Sequence, residues 1–169
     1  MFDQKRANKA INFFEKFLTH SKGEYAGKPF LLQEWQETII SDLFGTVNED
    51  GSRQYRTAYI EIPKKNGKSP LAAGIALILL VIDEEMGAEI YSAAGDKDQA
   101  SIVFNYAADM VRNSPELSSR LRILNSRKRI MYEGTKSFYA AVSADVPTKH
   151  GPNIHGLIFD DRIATCGIP

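Results

Sequence analysis

Ile60-Glu-Ile-Pro-Lys-Lys-Asn-Gly-Lys-Ser69 divides two stretches of different periodicity. Before the break, Ala58, Ile60 and Ile62 alternate with Tyr59 and Glu61, which is the period of a strand. After it, Ser69 to Ile82 is an apolar run rich in Ala and Leu, too long for a strand, and reads as a buried helix. Strand, loop with Gly67-Lys68-Ser69, then helix is the setting in which main-chain N–H groups and a helix N-terminus receive a phosphate. In that reading Gly67 belongs to the cradle, Lys68 reaches the β/γ-phosphates of a nucleotide, and Ser69 offers its hydroxyl to Mg²⁺. Pro70 suits an early helical position, where a missing N–H costs no helical bond. The common phosphate-loop pattern has a Gly where this chain has Ile62, and a Lys-rich turn capped by Ser69 is the plainer alternative.

Outward from the loop the pattern continues. Upstream, residues 3–21 carry Ala10, Ile11, Phe13, Phe14, Phe17 and Leu18 at helical spacing, and Leu32, Trp35, Ile39, Ile40, Leu43 and Phe44 predict a second helix. Downstream, residues 89–93 read as a strand, 96–112 as a helix, and 129–132 and 137–142 as strands. Loop residues Pro147, Gly151 and Pro152 lead into a last strand, His155 to Phe159, which ends on Asp160-Asp161. This alternation predicts an α/β fold, a mainly parallel sheet flanked by helices with an N-terminal helical lead. Two neighbouring carboxylates at a buried strand end repel each other, and a divalent cation relieves that repulsion. In a phosphate-loop NTPase such a strand lies beside the loop strand, its first acid holding Mg²⁺ through water and the next orienting the attacking water. A helix cap or turn is the other use of Asp-Asp.

Composition narrows the class. The chain has 169 residues, 43% of them hydrophobic, enough for one domain with a real core. A single Cys excludes a disulfide framework, and His20, His150 and His155 are too scattered for a metal cluster. His150, in the loop before the acidic strand, is either structural or near the site. Lys plus Arg total 21 and Asp plus Glu 21, so no global field draws the molecule onto a polyanion. Locally, seven acids face one base over 83–111, and eight bases face three acids over 112–149. The two segments are either solvated faces or, for the basic one, a polyanion contact. The N-terminus lacks the apolar core of a signal peptide, and no stretch reaches the length of a membrane span. A protein of a reducing compartment is the default.

Several stretches, in order and over residues 11–161, resemble the N-terminal ATPase part of the large terminase subunit of tailed phages. They are Thr19-His-Ser-Lys-Gly-Glu-Tyr-Ala-Gly-Lys-Pro-Phe30, Trp35-Gln36, Tyr59 to Ser69, Ile90-Tyr-Ser-Ala-Ala94 with Asp98-Gln-Ala100, Ser143-Ala-Asp145, and Lys149-His-Gly151 through Phe159-Asp160. The resemblance implies a motor that drives double-stranded DNA into a procapsid by ATP hydrolysis, with ATP and Mg²⁺ as its cofactors. The implied partners are double-stranded DNA, the terminase small subunit, the portal protein and further copies in a homo-oligomeric ring. The implied location is the host cytoplasm, with no membrane. The family's phosphate loop commonly starts with a basic residue, and Lys64 holds that place. Lys64 would then contact the γ-phosphate, and Asn66, Gly67, Lys68 and Ser69 would complete the loop. Gln36 matches a glutamine that reads adenine, whose donor and acceptor edges an amide can pair together. Gln36 as a solvated helix residue is the alternative. Asp160, with Ser69, would hold the metal, and Asp161 would orient the attacking water.

Two features depart from the family. Asp160-Asp161-Arg162-Ile163 stands where Asp-Glu-Leu-His is common, so the water-orienting acid is one methylene shorter. A misplacement of about 1 Å can cost roughly 10²-fold in rate. The tail from Arg162 to Pro169 does not resemble the family. The expected organisation is a helical lead at 1–45, a partial ATPase core at 56–161, an atypical tail at 162–169, and no nuclease domain. The sheet is then incomplete, with an open edge at its last strand. The alternative functions are a catalytically inactive truncated fragment acting as a binding or assembly module, and a superfamily-2-like helicase or translocase.

Overall fold

The computed structural model describes residues 1–63, 65–95, 97–143 and 154–159. Asp3 starts the chain's first helix, α1 (Gln4–Phe17), by accepting the N–H groups of Lys5 and Arg6 at 3.0 and 3.1 Å. Ala7, Ala10, Phe13 and Phe14 form its buried stripe. α1 packs against α2 (Glu34–Gly45), and the pair forms the predicted helical lead. The connection between them is a closed loop. Phe30 N–H donates to Leu18 O, His20 N–H to Lys28 O, and Gly27 N–H to His20 O, around a 3-10 turn at Gly23–Tyr25.

The third helix, α3 (Lys68–Val81), is buried at every position from Leu71 to Val81. A helix apolar all round needs cover on all sides. It finds α1 on one flank and the sheet on the other. Contact with α1 is so close that a β-carbon on Gly74 would collide with Cε1 and Cζ of the Phe14 ring.

The sheet has the order β2-β3-β4-β1-β5. β1 (Glu89–Ala94), the central strand, pairs in parallel with β4 (Ser137–Ser143) and with β5 (Ile154–Phe159). β2 (Leu121–Leu124) and β3 (Arg129–Tyr132) extend this parallel core as an antiparallel hairpin, turned by a 3-10 segment at Asn125–Arg127. α4 (Lys97–Asn113) packs against α3, β1 and β4, and the short α5 (Pro115–Ser118) packs against α4 and β2. Tyr139 of β4 stacks on Phe104 of α4. Its hydroxyl donates to Ser92 Oγ of β1 at 2.8 Å.

The predicted strand at 58–62 is corrected. These residues form no strand, and β5 pairs with β1 rather than with them. Their alternation is nonetheless real as burial, because Ala58, Ile60 and Ile62 are half-buried while Tyr59 and Glu61 are exposed. Period reports which side of an extended chain meets the core, whereas a ladder also needs a neighbour for its N–H and C=O groups. Among the described residues none lies alongside, and Pro63 at the end has no N–H to give. β2 was not anticipated. Its signal, Leu121 and Ile123 alternating with Arg122 ahead of Asn125-Ser126, is only four residues long.

The basic stretch is not one free face. Arg112 bonds Asp109 and Asn125, Arg122 pairs with Glu133 at 3.9 Å, Lys128 lies over Phe104, and Arg129 lies 4.0 Å over Phe138.

Candidate nucleotide site

α3 runs back along the sheet. At its C-terminal end Asp83 bonds Nε2 of His155, at the start of β5, at 2.7 Å, and Leu79 packs against Gly156 of that strand. Its N-terminus is thereby carried toward the end where β5 stops, which is also the end where β1 and β4 finish. The loop ahead of α3 and the C-terminal ends of the parallel strands therefore share one side of the molecule. In open α/β sheets that is the side on which ligands bind.

The loop has the shape its residues call for. Lys65 (φ 69°) and Gly67 (φ 78°) are left-handed and Asn66 between them is not. Alternating hands turn successive N–H groups toward one concavity, a form suited to an anion. Gly67, not Ser69, caps α3, and its carbonyl accepts Leu71 N–H at 3.1 Å. Lys68 and Ser69 are the first two helical residues, where peptide N–H groups have no acceptor within the helix. Pro70, the third, contributes none. Asn66 Nδ2 donates to Pro63 O at 3.3 Å, which closes the bend on itself.

A cleft of ≈ 620 Å³ opens in front of this loop. Lys65, Asn66, Gly67 and Pro70 form one wall, and Gln36 of α2 joins them from the lead. Gln36 is not a solvated residue, being 5% exposed. Its Oε1 accepts the N–H of Gln33, the residue ahead of α2, at 2.9 Å. Its Nε2 lies on the loop side, 3.8 Å from where a Gly67 β-carbon would stand, and donates to nothing among the described residues. The side chain thus fixes the start of α2 and directs a donor toward the loop.

The 18–30 loop also lines the cleft, through His20, Tyr25, Lys28, Pro29 and Phe30, with Leu31 beside it. His20 stacks on Phe30 with centroids 4.5 Å apart, and Phe30 meets Phe14 of α1 edge-on. Burial pushes the His20 imidazole below its ordinary value of 6.5. The structure thus brings together Gln36, Asn66 and Gly67 at this cleft, with Lys68 and Ser69 in the adjoining helical turn. Lys64, Asp160 and Asp161 lie outside the described residues. The aromatic wall was not anticipated as part of a site. The signal was present in His20, Tyr25 and Phe30 flanking Gly23 and Gly27, but nothing local says what they face. Among the described residues no group of three or more His, Cys, Asp or Glu is placed to hold a metal, and no helix is long and apolar enough to cross a membrane.

Comparison with known proteins agrees with the geometry. A family model described as the terminase large subunit, ATPase domain, matches residues 34–165. The large terminase subunit of Enterobacteria phage HK97 is 34% identical over 147 residues, 86% of this chain and 28% of that protein. The crystal structure of the HK97 bacteriophage large terminase superposes with a TM-score of 0.76 and 32% identity, covering 94% of this chain and 31% of the other. The chain spans less than a third of the length of either relative. Taken with the loop-before-helix at the strand ends, these matches mean that the chain belongs to the family of terminase large subunit ATPase domains.

Proposed function

We propose that the cleft binds ATP with Mg²⁺ and that the chain is the ATP-hydrolysing part of a DNA-packaging motor. The observation that carries this reading is the meeting, in one cleft, of Gln36 with the loop Lys65-Asn66-Gly67, whose first and last residues are left-handed. A volume of ≈ 620 Å³ lies within the usual range for small-molecule sites. The loop offers backbone donors and a helix N-terminus for phosphates, the Gln36 amide lies beside it, and the 18–30 loop adds rings suited to a base.

In this reading the Gly67–Ser69 turn cradles the phosphates, and Lys68 and Lys64 neutralise charge at the γ-phosphate. Ser69 and Asp160 would hold Mg²⁺, which when bound spreads phosphate charge and steadies the leaving oxygens. Asp161 would orient the water for in-line attack, one methylene short of the family's usual Glu. Gln36 would contact the base through its Nε2 donor and the remaining lone pair of Oε1.

Organisation as a helical lead at 1–45 and an ATPase core from 56 to 161 follows the same reading. Double-stranded DNA, a small terminase subunit, a portal and further copies in a ring are the partners proposed for the assembled motor in the host cytoplasm. The test is calorimetric titration of ATP with magnesium into the wild-type chain and Lys68→Ala. Binding by wild type that falls at least about tenfold in Lys68→Ala is expected. Equal affinity in the two would refute the assignment.

A further inference from the structure

β5 carries one residue more than the stretch of β1 it pairs with. Glu89 faces Ile154, but the next residue, Ile90, faces Gly156, so His155 stands outside the ladder. An extra residue of this kind re-aims its side chain. The His155 imidazole goes to Asp83 Oδ2, just past the C-terminal end of α3, at 2.7 Å. Arg53 Nη2 meets the same oxygen at 3.0 Å, and its guanidinium lies 5.4 Å from the Phe44 ring centroid of α2. The three side chains of this cluster are only 12% to 18% exposed.

Hydrophobicity alone does not choose this register. Leu157-Ile158-Phe159 is apolar at successive positions, so a slip by one residue exchanges one apolar set for another. The regular alternative, with Ile90 facing His155, shifts the end of β5 by about 3.3 Å along β1. Two contacts oppose it. The first is the Arg53–Asp83–His155 cluster. The second is Gly156 beneath Leu79, where a β-carbon would come within 2.6 Å of Leu79 Cδ1. A slipped strand brings His155 to that place.

The lengths give the register its consequence. α3, with 14 residues, is about 21 Å long, and β5, with 6, about 20 Å. Running in opposite directions and joined at one end through Asp83 and His155, they finish nearly level at the other. The phosphate-type loop precedes α3 there, and Asp160-Asp161 follow Phe159 in the sequence. Resting on the nucleotide reading above, we infer that Arg53, Asp83 and His155 are positioning residues that pin the acidic strand in register against α3, and so set Asp160 and Asp161 relative to Lys68 and Ser69. A slip of about 3.3 Å is several times the misplacement of about 1 Å that can cost roughly 10²-fold in rate.

The experiment titrates ATP with magnesium, and ATP with a chelator, into the full chain as wild type, His155→Ala, His155→Gln, Asp83→Asn and Asp160→Ala. Wild type is expected to bind ATP more tightly with magnesium, and Asp160→Ala to lose that gain. His155→Ala is expected to lose at least about fivefold of the gain while its magnesium-free affinity stays unchanged. His155→Gln, whose Nε2 can still donate to Asp83, keeps the gain within about twofold. Without nucleotide, a nuclear Overhauser contact between Ile90 and Gly156 reads the register itself, and in His155→Ala it should give way to one between Ile90 and residue 155. The full magnesium gain in His155→Ala, or an unchanged Ile90–Gly156 contact there, overturns the inference while the nucleotide reading stands. An equal loss with and without magnesium overturns it too, since the cluster would then be shaping the phosphate loop. Should His155→Ala not fold, the same outcomes are read from Asp83→Asn, which keeps the shape and gives up the charge that Arg53 pairs with. A gain that survives in Asp160→Ala removes that residue from the metal site, and this inference with it. Wild type that binds no ATP refutes the nucleotide reading itself.

Discussion

Replacing Gly67 by Ala isolates the backbone's part in the candidate site. Gly67 sits at φ 78°, ψ 22°, and its carbonyl closes the first turn of α3. An L-residue held there costs about 1–2 kcal/mol, because its β-carbon crowds the following carbonyl oxygen. Ala also shrinks the unfolded ensemble, which returns about 0.4–1 kcal/mol. Sterics add nothing, since the nearest foreign atom to the new carbon is Gln36 Nε2 at an ordinary 3.8 Å. The net loss is therefore about 1 kcal/mol if the loop keeps its form. A loop that escapes the strain by leaving the left-handed region loses the alternation with Lys65 and Asn66, and with it the directions of the amide groups. In the first case stability falls, and in the second ATP affinity falls in Gly67→Ala. Gly67→Asn, whose short side chain is tolerated in this conformation, retains more of it. Urea denaturation reads the first effect and calorimetry the second. An Ala variant as stable as wild type, with unchanged affinity for ATP, would refute the reasoning.

Three further outcomes are expected. Gly74→Ala gains about 1 kcal/mol of helix propensity but drives a carbon into Phe14, an overpacking cost of about 1–3 kcal/mol. The variant is predicted to be less stable in denaturant, and adding Phe14→Leu to recover part of the loss; a single variant more stable than wild type contradicts the close contact. Asp83→Asn removes a carboxylate that accepts from Arg53 at 3.0 Å and meets His155 at 2.7 Å, all three side chains mostly buried. The loss should be about 1.5–3 kcal/mol in chemical denaturation, and no change in midpoint would mean that water replaces the bridge. His20 titrates below its ordinary 6.5 because burial disfavours its charged form. Above 6.5 both folded and unfolded states are neutral at this residue, and below it the unfolded chain takes up a proton that the folded chain refuses. Stability therefore falls as pH drops through 6.5 toward the folded value, and His20→Phe should flatten that part of the profile; an unaltered acid limb in the variant would show that His20 carries none of it.

The features legible from sequence were those governed by near neighbours. The continuous apolar run after Ser69 could only be a buried helix, and Gly67 ahead of it supplied the left-handed residue that starts it. Burial faces were also readable, down to the in–out alternation of Ala58 to Ile62. The ladder of that segment was not, because pairing belongs to two stretches of chain and periodicity describes one. β2 escaped notice for a related reason. Four residues carry too little alternation, and it is β3, across the turn, that makes Leu121–Leu124 a strand.

The candidate site divides along the same line. Gly67-Lys68-Ser69 ahead of an apolar run suggested a phosphate loop through residue type and spacing, and Lys64 joined it only through the family resemblance. Only the tertiary structure brought Gln36 against Gly67, used its Oε1 to start α2 and left its Nε2 toward the loop. The tertiary structure likewise set Tyr25 in the same cleft as residues far along the chain. Those relations arise where α1, α2 and α3 pack, through contacts such as Phe14 on Gly74. Local sequence carries the backbone preferences of each segment, whereas which side chains share a cleft is decided by the fit of one buried surface to another.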